Sequence, residues 1–230
     1  MKDNQFKFAT TLITCGNQTG TGFFALFSIE NKPVPVLVTT KHVIETEDGA
    51  PSDITLALHY QPTEEHIATA SLPVHVRWYK HPEKDVCCCL VADINAQFEK
   101  IMGFPVYCRY ISEYQYLTEQ QRKKIDLHSR VFMSGYPLGI ATKPNFYPLY
   151  QHGHLASDPA DNHITGMGYA DITALPGSSG SPLLLAEEPY CLIGILTGAV
   201  TEATSQNAGL GMYLDAEALL ELKEEVKNWR

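Results

Sequence analysis

Short apolar or alternating runs recur along this 230-residue chain, and Gly, Pro, Asn or Asp interrupts nearly every one. This rhythm constrains the fold more than any other feature, because few of the runs are long enough to build a helix. Strands are expected at residues 6–15, 21–29, 34–40, 54–60, 66–72, 74–79, 86–92, 131–134, 148–156, 163–172, 182–185, 190–196 and 211–214. Many short strands separated by turn signals predict an all-β barrel pair or sandwich rather than an α/β fold. The length suits one large all-β domain or two small barrels sharing a cleft. Strand patterning breaks off between 96 and 128, where the polar stretch 118–125 reads as helical. A clearer helix is expected over 215–229. It opens on Asp215, carries acids early and basic residues late, and shows an apolar stripe at Leu219, Leu220, Leu222 and Val226.

The segment with the most chemical content is Ala170 to Leu183, which contains Pro176-Gly177-Ser178-Ser179-Gly180-Ser181. Glycine at 177 permits a tight turn, so the amides of Gly177 and Ser179 can point at one spot. Two convergent N–H groups stabilise an oxyanion, and the Ser179 hydroxyl beside them is a candidate nucleophile. The same composition also fits a plain turn between two strands.

A serine hydroxyl is a weak nucleophile until a base accepts its proton. A histidine does this near neutral pH, and a carboxylate on its other nitrogen fixes tautomer and orientation. The run Val36–Ile44 is an apolar strand ending at His42, and Asp85 opens the apolar run that begins at Val86. Strand ends place both side chains at a rim. His42, Asp85 and Ser179 are therefore the candidate catalytic residues, although each alone also fits an ordinary turn or surface position.

With these blocks in place the chain resembles the trypsin-like (chymotrypsin-fold) serine peptidases, most of all the Deg/Htr-type protease domain. Gly20-Thr21-Gly22-Phe23-Phe24 resembles that branch's early glycine turn, and Leu37–Val43 its histidine segment. Lys84–Leu90 resembles the strand opening on the aspartate, Gly135-Tyr136-Pro137-Leu138-Gly139 a turn of the second barrel, and Asp171–Leu183 the serine block. The resemblance runs from about residue 10 to 215, in the family's order His, Asp, Ser. It implies two six-stranded antiparallel β-barrels: residues 1–100 with His42 and Asp85, a connection over 101–128, and 129–214 with Ser179, before a C-terminal helix over 215–230. It implies a serine endopeptidase acting on protein or peptide substrates through an acyl-enzyme, with Gly177 and Ser179 as the oxyanion hole and no cofactor. Departures are Val43 where the extracellular branch carries cysteine, Ser181 in place of a second glycine, and no PDZ-like segment or obvious activation cleavage. The alternative is a catalytically silent or latent binding module of the same fold, controlled by a regulatory partner.

By the same resemblance the substrate pocket is built by Thr173, Ala174, Leu196, Thr197, Gly198 and Ala199. None is charged, so cleavage after uncharged residues is expected, since an unpaired ion buried there is unfavourable. Asp171 reads as scaffold, Glu202 as a rim acid, and Lys143 is the nearby cation. His152 and His154 share a strand face without a third ligand at suitable spacing, so no metal is expected. His59, His66, His75, His81, His128 and His163 lack chemical context. The six cysteines include the run Cys87-Cys88-Cys89, whose neighbours point to opposite strand faces and read as free buried thiols. With 17 Lys+Arg against 26 Asp+Glu, the net charge of −9 argues against a nucleic-acid partner. No apolar stretch approaches the roughly 20 residues that span a bilayer, and the N-terminal run shows no signal-peptide block, so a cytoplasmic location is expected unless the chain is a mature form stripped of its leader.

Overall fold

The computed structural model describes residues 5–45, 53–201 and 207–228. Its first sheet contains β1 (Thr10–Cys15), β2 (Gln18–Ile29), β3 (Lys32–Thr39), β4 (Ile54–Thr63), β5 (His66–Val74), β6 (Tyr79–Lys80), β7 (Cys87–Leu90) and β8 (Ile111–Ser112). The order is β5-β4-β1-β2-β3-β7-β6, with β8 added parallel to β2. The second is a closed antiparallel barrel of β9 (Arg130–Gly135), β10 (Leu149–Leu155), β11 (Met167–Asp171), β12 (Pro182–Leu185), β13 (Leu192–Thr201) and β14 (Asn207–Asp215). The helices are α1 (Lys41–Ile44), α2 (Val91–Met102), α3 (Glu119–Arg122), α4 (Pro159–Thr165) and α5 (Glu217–Lys227).

One closed six-stranded barrel is therefore present, but the first half is an open sheet with β5 and β6 as its edges. The reason lies where β7 ends. The chain turns directly into α2 at Val91, and Val91, Ile94 and Phe98 form one helical face that is buried. This helix packs against β3, β5 and β7. The Gln97 side chain accepts from the His75 N–H and donates to the His75 carbonyl, both at 2.9 Å. A helix side chain thus satisfies backbone groups just beyond β5 that a closing strand would pair.

Other strand expectations shift locally. Residues 6–8 lie in a 3₁₀ turn, Tyr79–Lys80 is all that remains of 74–79 beyond the end of β5, and α4 takes the start of 163–172. The C-terminal helix starts at Glu217 because Asp215 still belongs to β14, where its carboxylate accepts from the Glu217 N–H at 2.8 Å. Helix α5 returns from the barrel to pack on β6 and β2 of the first sheet. Its Leu219, Leu222 and Val226 join Phe27, Val36 and Phe132 in one core. Cys87 and Cys89 face a second core with Ile94 and Phe98, while Cys88 faces the first, and no disulfide joins any of the six cysteines.

Candidate active site

His42 stands on α1, immediately beyond β3, and Asp85 lies two residues before β7. Because β3 and β7 are antiparallel with Thr39 opposite Cys87, the end of one and the start of the other coincide. The sheet register thereby brings the two side chains together. Asp85 Oδ2 lies 2.6 Å from His42 Nδ1, and Oδ1 accepts from the His42 N–H at 3.2 Å. Burial raises the Asp85 pKa, but hydrogen bonds and charge from His42, with the His42 and Lys41 backbone, outweigh it and hold the carboxyl below its ordinary value. An ionised carboxylate at Nδ1 keeps that nitrogen protonated and leaves Nε2 as the available base.

Ser179 lies in the turn between β11 and β12. Thr21 of β2 grips this turn across the two halves. Its N–H donates to the Ser179 carbonyl at 2.8 Å, and its Oγ1 donates to the Gly177 carbonyl at 2.8 Å while accepting from the Tyr136 N–H. Thr39 Oγ1 in turn donates to the Thr21 carbonyl at 2.8 Å. Within the turn Ser178 N–H donates to Leu175 O and Ser181 N–H to Ser178 O, while Gly180 N–H donates to Leu196 O of β13. Among the described residues the Gly177 and Ser179 amides donate to no acceptor, which leaves alternate N–H groups of the loop available. Gly180 is required by contact, because at φ +86° a Cβ there would lie 2.0 Å from the Thr21 carbonyl oxygen. The Ser179 hydroxyl donates to the Thr197 carbonyl at 3.3 Å. No hydrogen bond joins it to His42 among the described residues.

Beside Ser179 opens a cavity of about 310 Å³. Of the residues named for the substrate pocket, Ala174, Leu196, Gly198 and Ala199 line it, together with Leu175, Pro176, Ser178 and Thr201. Two expected members are not among its walls. Thr173 instead borders a groove of about 300 Å³ with Arg130, His152, His154 and Asp171, on the outward face of the barrel. Beyond the end of β11 the extended chain keeps alternating its faces, so Ala174 is buried while Thr173 is exposed. Thr197 borders a separate cleft with Asp85, Lys84 and Met212. Asp171 lines that groove and not the cavity beside Ser179, and Glu202 lies outside the described residues. Among the described residues no three His, Cys, Asp or Glu side chains gather as a metal site.

Two contributors went unread in the sequence. Thr21 was visible only as part of a glycine-flanked turn, and the partners of its side chain, Gly177 and Tyr136, lie more than a hundred residues away. His81 sits just ahead of Asp85 and bonds Glu221 of α5 at 2.9 Å. No local pattern announces either contact.

Many solved structures match the chain, among them two that align over almost its whole length. One is a crystal structure of the Rv3671c protease in its inactive form, with TM-score 0.56 and 16% identity, covering 96% of this chain and 90% of that one. The chain shares the fold of this protease. A serine-to-alanine mutant of Rv3671c from M. tuberculosis, also an inactive form, matches with TM-score 0.55 and 15% identity over 96% and 87% of the two chains. No family model matches, and no curated protein matches in sequence. Among the described residues no helix is long and apolar enough to cross a membrane.

Proposed function

We propose that the protein is a serine endopeptidase of Deg/Htr-like type that cleaves protein or peptide substrates in the cytoplasm. The observation that carries this reading is the two-point contact of Asp85 with His42, together with the serine loop and its unengaged Gly177 and Ser179 amides. In the proposed reaction Ser179 Oγ leaves the Thr197 carbonyl and attacks the scissile carbonyl carbon, passing its proton to His42 Nε2. The developing oxyanion is stabilised by the Gly177 and Ser179 amides. Collapse breaks the C–N bond, and His42 gives the proton to the departing amine. Water then enters by the same base and releases the acyl group. The uncharged cavity walls favour small or medium uncharged side chains at the residue preceding the cut.

The bond from Ser179 to the Thr197 carbonyl favours a second reading, a latent form of the same fold that a partner must switch on. A fluorophosphonate probe, which reports an assembled serine centre, separates the two. Fast labelling of the purified protein, abolished by Ser179→Ala, is expected. Labelling that requires an added partner supports latency, and labelling that survives Ser179→Ala sinks the assignment of the nucleophile.

A further inference from the structure

Behind the His42–Asp85 pair lies a second histidine–carboxylate pair. His81 is only 7% exposed. Its Nδ1 accepts from the Glu83 N–H at 3.1 Å and the Lys84 N–H at 2.9 Å, the two amides just ahead of Asp85. A nitrogen that receives two N–H donors carries no hydrogen of its own, so the ring's single hydrogen is on Nε2. That atom meets Glu221 Oε2 of α5 at 2.9 Å, and the Lys84 ammonium bonds the same oxygen. The backbone of His81 completes the frame. Its N–H donates to the Val86 carbonyl at 3.0 Å, and its carbonyl accepts from Lys41 Nζ at 3.1 Å. His81 is thus bonded to the turn on both sides of Asp85 and to the residue adjoining His42.

We propose that Glu221 of the C-terminal helix is a positioning residue for the His42–Asp85 pair and acts through His81. The inference rests on the endopeptidase reading and deepens it. A neutral imidazole has two tautomers, and only the Nε2–H form can accept both amides of the 83–84 turn. The Glu221 carboxylate selects that form, since the other would set N–H against N–H and leave the carboxylate without its ring donor. The turn must hold its shape because Asp85 uses both oxygens on His42, one on the backbone and one on the ring. A displaced turn forfeits that double contact while leaving the substrate cavity intact, because neither His81 nor Glu221 lines the cavity beside Ser179.

The test uses the full chain as wild type, Glu221→Ala, Glu221→Gln and Glu224→Ala. The last removes an exposed partner of Lys227 on the same helix. Two readouts are taken: the saturating rate and half-saturation of fluorophosphonate labelling, and the low-field proton resonance of the His42 Nδ1–H···Asp85 bond. Glu221→Ala should slow the saturating rate by about tenfold or more with little change in half-saturation, and should shift or broaden the low-field signal. Glu221→Gln keeps an oxygen acceptor for Nε2–H and should restore both, and Glu224→Ala should alter neither. An alanine variant that matches wild type in both readouts overturns the proposal, as does one whose loss glutamine fails to rescue. If Glu221→Ala does not fold, nitrogen NMR of wild-type His81 decides the matter, and a hydrogen on Nδ1 overturns it. Absent labelling in wild type with a low-field signal that still responds to Glu221→Ala defeats the endopeptidase reading and leaves the positioning role standing.

Discussion

Asp85 meets His42 at two atoms, and an asparagine amide offers an oxygen to only one of them. If its NH₂ faces the ring, Nδ1 must give up its hydrogen and Nε2 takes it, which removes the base from the cleft side. Asp85→Asn is therefore expected to slow probe labelling at pH 7 by about 10⁴-fold while leaving the fold intact, measured beside the thermal midpoint. A loss smaller than tenfold removes Asp85 from its assigned role. At this scale the sequence was legible where chemistry is written locally: the strand that runs into His42, the aspartate that opens a strand, and the glycine-flanked Ser179. It was mute where a residue acts across the fold. Thr21 reaches Gly177 and Tyr136, and His81 reaches Glu221, through contacts that no window of neighbouring residues contains. Thr173 and Thr197 border neighbouring clefts rather than the cavity beside Ser179, because which face a side chain leaves depends on the local backbone at the strand end.

Helix α2 marks the largest departure at the level of elements. The run Cys87–Leu90 is apolar on both faces, and reading it onward as a strand through residue 92 hid the change of period at Val91. From there Val91, Ile94 and Phe98 repeat at helical spacing, and Gly103 in the left-handed region ends the helix with its N–H on the Glu99 carbonyl. The signal was present, but it began inside a segment already claimed by strand periodicity. Long alternating strands such as β2 and β3 were legible because both their faces are packed and turn residues bound them. Phe98 is 1% exposed and packs with Ile13, Leu37 and Leu56, so this helix seals one side of the open sheet. Phe98→Ala should destabilise the protein by about 3–5 kcal/mol in urea unfolding. A cost below about 1 kcal/mol means that α2 is an appendage rather than a wall of the core.

Across the whole molecule the two halves are joined not only at Ser179 but also at a buried seam around His59 of β4. The His59 ring stacks edge-on with Phe8 and lies against Tyr147, which precedes β10 of the barrel. Thr69 Oγ1 bonds His59 Nδ1 at 2.8 Å and the Asn145 carbonyl at 3.0 Å, and no partner reaches Nε2 among the described residues. Burial pushes the His59 pKa down from 6.5 to about 4. The unfolded chain therefore binds a proton between those two values that the folded protein refuses, and folding stability must fall as pH drops through that window. The full shift corresponds to about 3 kcal/mol, all of it retained above pH 6.5 and lost by about pH 4. Asp85 and Glu221 act in a lower range. For Glu221, as for Asp85, burial opposes the shift, but the Lys84 and His81 hydrogen bonds outweigh it and hold the carboxyl below its ordinary value. Their contribution is present above the ordinary carboxylate value and disappears only as pH falls through the lowered one. The two effects are thus separable by pH. His59→Phe keeps an aromatic ring in the seam and leaves Thr69 its bond to Asn145. Urea unfolding of wild type and His59→Phe at intervals from pH 7 to pH 4, a range set by the histidine shift, should give a shallower decline for the variant. Parallel declines would mean that the seam admits a charged ring, and would move the acid sensitivity of the fold to another histidine.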